Sequence, residues 1–140
     1  MNKVKIGDAG EHHILSELLI RDFEAYSARK NNPTFDIAVI INGIRKKIEV
    51  KTTLKTSWPT KIFWKYPKNA QNYPDFWILV SVDKNNIFHN YILTHDELAN
   101  VKMKKDNLSS YPTQPTGKFG TVNIKDVQQY EDCWDKLNIL

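Results

Sequence analysis

Apolar residues near the start of the chain recur with the spacing of an amphipathic helix. The recurring positions are Ile14, Leu15, Leu18, Leu19 and Phe23. Side chains at this spacing share one face of a helix, and that face needs another surface to cover it. Asp8 stands just before the pattern, where an N-cap residue is expected. The pattern therefore predicts a helix from Ala9 to about Phe23.

Strand patterns dominate the middle of the chain. Two runs rich in apolar residues, 35–41 and 44–53, flank Asn42-Gly43, a dipeptide that tolerates the positive φ of a type I′ hairpin turn. Residues 75–82 and 87–94 have the pattern of a second hairpin. Shorter strands are predicted at 25–28 and, as an edge strand, at 119–124. Two hairpins and two short strands are therefore expected.

Further helices and loops complete the predicted order. Thr94 and Glu97 have the spacing of a capping box and predict a helix that ends near Met103. A terminal helix is predicted from the helical spacing of Val127, Tyr130, Trp134 and Leu137. Residues 29–34 read as a loop, and residues 54–75 as an ordered loop with a short strand near 62–64.

This order of elements predicts one domain, residues 1–140, of the α/β (α+β) class, in which helices cover a sheet. No run of about 18 apolar residues is present to span a bilayer, and the polar N-terminus lacks a secretory signal. A cytoplasmic location without a membrane role is therefore expected. The single cysteine, Cys133, is expected to be a buried structural residue.

The Asn-Gly turn also predicts the register of the first hairpin. The partners expected across the turn are Ile41 and Ile44, Val39 and Lys46, and Ile37 and Ile48. The next pair would be Asp36 and Glu49, on the polar face that also carries Lys47 and Lys51. Like charges directly opposed across two strands destabilise the pair, so this arrangement needs a compensating charge.

Two interpretations of this polar face remain open. A divalent cation bridging Asp36 and Glu49 would offset the repulsion, with Lys51 beside it, because hard cations such as Mg²⁺ prefer carboxylate oxygens. The alternative is an ordinary solvated face, since a single Glu-x-Lys match arises by chance in a chain of average composition. A bulge in either strand would shift the register and remove the pairing.

Glu11 lies at the N-terminal end of the apolar stripe of the first helix. A carboxylate in that position has two explanations. Its spacing from Asp8 is that of a capping box, in which Glu11 would bond back to the Asp8 amide. It can instead lie in or near a metal site, and the residues alone leave both explanations open.

Positive charge is concentrated in one segment. Residues 45–68 hold eight cations and one acid, a net charge of +7 within a chain of net charge +4. Such a segment is a candidate polyanion-binding surface or a solvated face. Interleaved aromatic residues favour base stacking beside phosphate contacts, although they also suit a core. The candidate nucleic-acid-binding residues are Lys47, Lys55, Trp58, Lys61, Trp64 and Lys65.

With Glu11 on a helix, Asp36 on a strand and "EVK" (49–51) on the next strand, the chain resembles the PD-(D/E)XK nuclease superfamily. That superfamily includes restriction endonucleases and archaeal Holliday-junction resolvases. The resemblance covers nearly the whole chain and includes the "GDAGE" (7–11) near the start. One departure is that no proline directly precedes Asp36. The resemblance implies a restriction-endonuclease-like core, with a central mixed β-sheet flanked by helices.

The resemblance also implies roles for the named residues. Asp36 and Glu49, with the Val50 carbonyl, would hold Mg²⁺, for which Mn²⁺ is an expected substitute. Lys51 would orient or help to deprotonate the attacking water and stabilise charge on the phosphate. Glu11 would lie beside the metal or bind a second ion, so the implied catalytic residues are Glu11, Asp36, Glu49 and Lys51.

The resulting hypothesis is a Mg²⁺-dependent endonuclease acting on DNA, in restriction, recombination or repair, with a possible homodimer as the working form. Alternatives are a catalytically silent module that binds nucleic acid or a partner, and an RNA-directed nuclease or toxin. Other chemistries fit less well, because no phosphate-binding GxxxxGK loop is present. His12 and His13 are adjacent and point in different directions on a helix, which argues against a zinc site.

Overall fold

The computed structural model describes residues 3–28 and 35–138, and a five-stranded mixed sheet lies at its centre. The strands are β1 (Glu24–Ser27), β2 (Ile37–Ile41), β3 (Ile44–Thr53), β5 (Phe76–Val82) and β6 (Phe88–Thr94), in the spatial order β1-β2-β3-β5-β6. β3 and β5 run parallel, and the other neighbours are antiparallel. A separate two-stranded sheet joins β4 (Ser57–Pro59) to β7 (Thr121–Asn123).

The first hairpin has the predicted register within its strands. The observed partners are Ile41 and Ile44, Val39 and Lys46, and Ile37 and Ile48. Asn42 and Gly43 have φ values of 51° and 78°, as the turn requires. The strand at β1 and the hairpin of β5 and β6 are likewise confirmed. The loop predicted at 29–34 lies outside the described residues.

The first helix differs from its prediction at both ends. α1 spans Lys3–Ile20, so it begins five positions before Asp8, and the prediction that Asp8 is its N-cap is wrong. Tertiary packing explains the early start, because Ile6 is buried and anchors the first turns. A capping box between Asp8 and Glu11 is therefore excluded, since both residues lie inside the helix.

Two other segments differ from their predictions. The strand predicted near 62–64 is a single helical turn, α2 (Ile62–Lys65), entered through Lys61 at a φ of 58°. The prediction of a terminal helix is also wrong. Three short 3₁₀ helices are present instead, Ile124–Asp126, Gln128–Tyr130 and Trp134–Asn138. By contrast, the capping box of Thr94 and Glu97 is confirmed at the start of α3 (His95–Lys105).

Both faces of the sheet are covered. On one face, α1 and the last 3₁₀ helix pack against apolar residues that include Ile37, Val39 and Ile48. On the other face, α2 and α3 pack over Trp77, Leu79 and neighbouring side chains. The predicted architecture, a central mixed sheet flanked by helices, is confirmed.

Among the described residues, no helix is both long and apolar enough to cross a membrane. Cys133 is only half-buried and packs at the margin of the layer that contains Trp134. Its thiol lies 3.5 Å from the Gln129 carbonyl oxygen, so the thiol has a local contact without full burial.

Candidate active site

The candidate site lies where β2 begins and β3 continues past it. Pairing between these strands stops at Ile37 and Ile48, one position short of the predicted pair of Asp36 and Glu49. That prediction is therefore wrong as a strand pair. Asp36 instead donates its N–H to the Ile48 carbonyl (3.0 Å) and accepts the Val50 N–H at Oδ2 (2.8 Å). The Asp36 side chain thus occupies the place that a further strand residue would take.

The position of the Val50 carbonyl follows from this hydrogen bond. In an extended strand, the N–H and C=O groups of one residue point to the same edge. Because the Val50 N–H points to Asp36, the Val50 carbonyl oxygen faces the same side, beyond the start of β2. A carboxylate and a main-chain oxygen therefore face the same edge of β3.

The Glu49 side chain lies on the face of the sheet that α2 and α3 cover, where it contacts Tyr66. Glu49 is only 5% exposed, so this part of the predicted polar face is not solvated. Its Oε1 atom accepts a hydrogen bond from the Tyr66 hydroxyl (3.1 Å) and lies 3.8 Å from the Lys65 ammonium. Its Oε2 atom lies 3.2 Å from the ammonium group of Lys51. Glu49 is therefore a buried carboxylate held by one hydroxyl group and two cations.

Glu11 reaches the site from α1 and shares a hydrogen bond with Asp36. Burial, followed by the negative charge of Asp36 and this hydrogen bond, raises the pKa of Glu11 to about 7. Burial is also the main reason that the pKa of Asp36 is raised, with the charge of Glu49 adding to it. Burial and neighbouring carboxylates therefore oppose ionisation at this site, and a bound cation would favour the charged forms.

Gly10 explains how α1 comes so close to β3. A Cβ atom built at Gly10 would overlap Thr52 Oγ1 and lie only 2.8 Å from Thr52 Cβ. Any larger residue would push the helix away from the strand, and Glu11 with it. The glycine before Glu11 in "GDAGE" thus has a packing role that places the carboxylate next to Asp36.

A chain of hydrogen bonds holds Tyr66 against Glu49. The Tyr111 hydroxyl donates to the Tyr66 carbonyl oxygen (2.6 Å) and lies 2.9 Å from His95 Nε2. Trp77 donates its indole N–H to His95 Nδ1 (3.1 Å), which places the His95 proton on Nε2. Burial lowers the pKa of His95 and so favours this neutral form.

Sequence reasoning did not identify Tyr66 as part of the site. Tyr66 lies 17 positions after Glu49, and it reaches Glu49 only because α2 folds back over the sheet. No periodic pattern carries that information. The sequence predicts that Lys65 contacts nucleic acid. In the structure its ammonium group lies 3.8 Å from Glu49 Oε1.

The predicted nucleic-acid-binding residues fall into two groups. Trp58 is fully buried and donates its indole N–H to the Val80 carbonyl (2.9 Å), so the prediction that it stacks on a base is wrong. The others keep accessible side chains: Lys55, Lys61, Trp64 and Lys65 are exposed and Lys47 is half-buried. Nucleic-acid binding by these five residues stays a prediction.

The donor set fits a hard divalent cation through two carboxylates and one carbonyl. Within residues 3–28 and 35–138, no three His, Cys, Asp or Glu side chains come close enough together to hold an ion by themselves. Asp36 and Glu49 supply two carboxylates, and Val50 supplies a main-chain oxygen beside the first of them. Mg²⁺ commonly takes only one or two carboxylates and completes its shell with water and phosphate oxygens.

Comparison with known proteins gives a fold and no family. No protein-family model matches the chain, and no curated protein matches it. Among solved structures, a bacterial homing endonuclease, I-Ssp6803I, is similar over 99% of this chain and 93% of that chain, with a TM-score of 0.55 and 18% sequence identity. At this identity the likeness shows a shared nuclease-like fold.

Proposed function

We propose that this protein is a metal-dependent endonuclease of the PD-(D/E)XK type that hydrolyses phosphodiester bonds in DNA. The observation that carries the proposal is the convergence of Glu11 from α1 and Asp36 from the start of β2 on Glu49 and Lys51 of β3. The nuclease-like fold shared with a homing endonuclease supports the same reaction class.

In this mechanism Asp36, Glu49 and the Val50 carbonyl would hold the ion. Bound Mg²⁺ supplies an activated water and neutralises charge on the phosphoryl oxygens. Lys51 carries the nearest cationic side chain to Glu49, 3.2 Å from Oε2, so it can orient the water and stabilise charge developing on the phosphate. Glu11 would share a proton with Asp36 when no cation is present, and it would lie beside the metal or hold a second ion when one is bound.

A second candidate function is a catalytically silent module that binds nucleic acid. One observation favours it: both oxygens of Glu49 already have partners within the chain, at Tyr66, Lys65 and Lys51. A carboxylate satisfied in this way is stable without a metal. The two candidates differ in what the protein does when a divalent cation and a substrate are both supplied.

The experiment that separates them is a cleavage assay on supercoiled, linear, branched and single-stranded DNA and on RNA, with Mg²⁺, Mn²⁺ or EDTA. We expect cleavage of at least one DNA form with Mg²⁺ or Mn²⁺, none with EDTA, and none by Asp36→Asn. Asp22→Asn, an exposed site whose φ of 69° suits asparagine, is the matched control and should cut normally.

Three outcomes of this assay argue against the proposal. Cleavage that survives EDTA or Asp36→Asn would contradict the mechanism. Binding without cleavage under every condition would favour the silent module, and cleavage of RNA alone would reassign the substrate. Light scattering on the same sample, with and without duplex DNA, tests the homodimer that two-strand cleavage favours.

A further inference from the structure

A groove of about 600 Å³ adjoins the candidate site at the end of β3. Its walls come from Ile6 on α1, from residues 52–55 at the end of β3 and just after it, from β4, and from the segment that carries Phe119. This space, called the Phe119 groove below, begins at the residue after Lys51. A strand rises about 3.3 Å per residue, so Thr53 lies about 7 Å along β3 from Lys51.

Phe119 is 62% exposed, yet its backbone is held firmly. Its carbonyl oxygen accepts the Lys61 N–H (2.8 Å), and the next carbonyl, at Gly120, accepts the Thr60 hydroxyl (2.6 Å). Gly120 has a φ of 56°, and a Cβ there would lie 2.9 Å from the Lys61 nitrogen, so only glycine fits. The exposure of the phenyl ring is therefore imposed by an ordered backbone.

The chemistry of the groove suits a base attached to a phosphate backbone. Among the described residues, its lining includes Lys55 and no acidic residue, and it also includes Leu54, which is 47% exposed. Lys118 precedes Phe119 in the sequence, and the Lys61 N–H donates to the Phe119 carbonyl oxygen, so two further lysines belong to the segments that hold Phe119 in place. An exposed aromatic ring and a lysine in one groove are the combination that binds single-stranded nucleic acids, by stacking on a base and by charge on the backbone.

We propose that the Phe119 groove binds an unpaired nucleobase next to the cleaved phosphate, with the base stacked on Phe119 and Lys55 contacting the backbone. This inference rests on the proposed nuclease function, because the groove continues directly from the strand that carries Glu49 and Lys51. It implies that the preferred substrate is a strand that is single or splayed at the cleavage site. A second copy of this chain is the competing occupant.

The test measures binding in EDTA, where no cleavage occurs, with 2-aminopurine placed at single positions of branched, single-stranded and duplex oligonucleotides of DNA and of RNA. We expect quenching of 2-aminopurine at an unpaired position and tighter binding of branched or single strands than of duplex. Phe119→Ala should weaken that binding by about 5- to 150-fold, the loss of one base–aromatic stack, and Phe119→Tyr should retain it. Tyr26→Ala, which removes an exposed aromatic ring on β1, is the control and should bind as the wild type does.

Quenching with DNA, with RNA or with both supports the nucleobase site and identifies the sugar that it accepts. Unchanged binding by Phe119→Ala overturns the inference, as does a change of oligomeric state by light scattering without a change in binding. If Asp36→Asn abolishes cleavage while Phe119→Ala has no effect on binding, the proposed function stands and this inference fails.

Discussion

The carboxyl group of Glu11 on α1 shares a hydrogen bond with the carboxylate of Asp36 at the start of β2. Two acidic groups in contact share a proton at a pH where isolated carboxyl groups have lost theirs. In the metal-free protein this shared proton neutralises part of the negative charge of Glu11 and Asp36, which a bound cation would otherwise neutralise. The protonation of this pair therefore depends on the charges of the neighbouring groups in the candidate site.

The first prediction concerns the ionisation of Glu11. In the metal-free protein, a ¹³C NMR titration should give Glu11 a pKa of about 7, because burial and Asp36 both oppose its ionisation. Asp36→Asn should move this pKa part of the way back towards 4.5, since the charge is removed and the burial remains. A Glu11 pKa that stays near 4.5 in the wild type would show that the two carboxyl groups do not meet.

The same shift predicts a dependence of stability on pH. The folded-state pKa of Glu11 is raised above its unfolded value, so this group's contribution is fully present below about pH 4.5 and is lost as the pH rises through about 7. Urea unfolding of the wild type and of Glu11→Gln at several pH values measures this contribution. The difference in unfolding free energy between the two proteins should change across that window and be constant outside it.

The third prediction concerns the close approach of α1 to β3. Gly10→Ala should destabilise the protein by about 1–3 kcal/mol, the usual cost of overpacking, because the added Cβ overlaps Thr52. Gly7→Ala is the matched control in the same helix, since nothing lies within 4 Å of a Cβ there. It should be neutral or stabilising by up to about 1 kcal/mol. Equal effects of the two substitutions in urea unfolding would contradict this packing.

The fourth prediction concerns the hydrogen bond from Tyr66 to Glu49. Tyr66→Phe keeps the ring that packs on Trp77 and removes the hydroxyl that fixes Glu49 Oε1. Glu49 is a proposed metal ligand, and loss of a group that orients such a ligand typically costs about 10- to 100-fold in metal affinity or activity, which is the loss expected here. Tyr26→Phe, at an exposed ring, should leave activity unchanged. Full activity of Tyr66→Phe across Mg²⁺ concentrations would show that this hydrogen bond has no role.

The parts of the fold that could be predicted depend on local patterns that agree with one another. The hairpin of β2 and β3 follows from Asn42-Gly43 and from the alternation around it, and the observed register matches within the strands. The helix start at Asp8 was misplaced because a local capping signal was outweighed by the burial of Ile6 two positions earlier. Tertiary packing overrides propensity in such cases.

The parts of the site that could not be predicted depend on contacts between distant segments. Trp58 and Trp64 lie in the same segment rich in lysine and aromatic residues, yet Trp58 is fully buried and Trp64 is 47% exposed. The residues predicted to line one terminal helix pack in different layers, Val127 on one face of the sheet and Leu137 on the other. Helical spacing alone cannot separate these cases, because it carries no information about where the chain crosses an edge of the sheet.

We propose that Asp36 and Glu49 share one divalent ion beside Lys51. Anomalous diffraction from a crystal of the full chain soaked in Mn²⁺ tests it most directly. The predicted result is one peak about 2.1 Å from a carboxylate oxygen of each residue and from the Val50 carbonyl, absent in Asp36→Asn. No peak at this position, with Glu49 still bound to Tyr66 and Lys51 while Mn²⁺ supports DNA cleavage by the wild type, would contradict the claim.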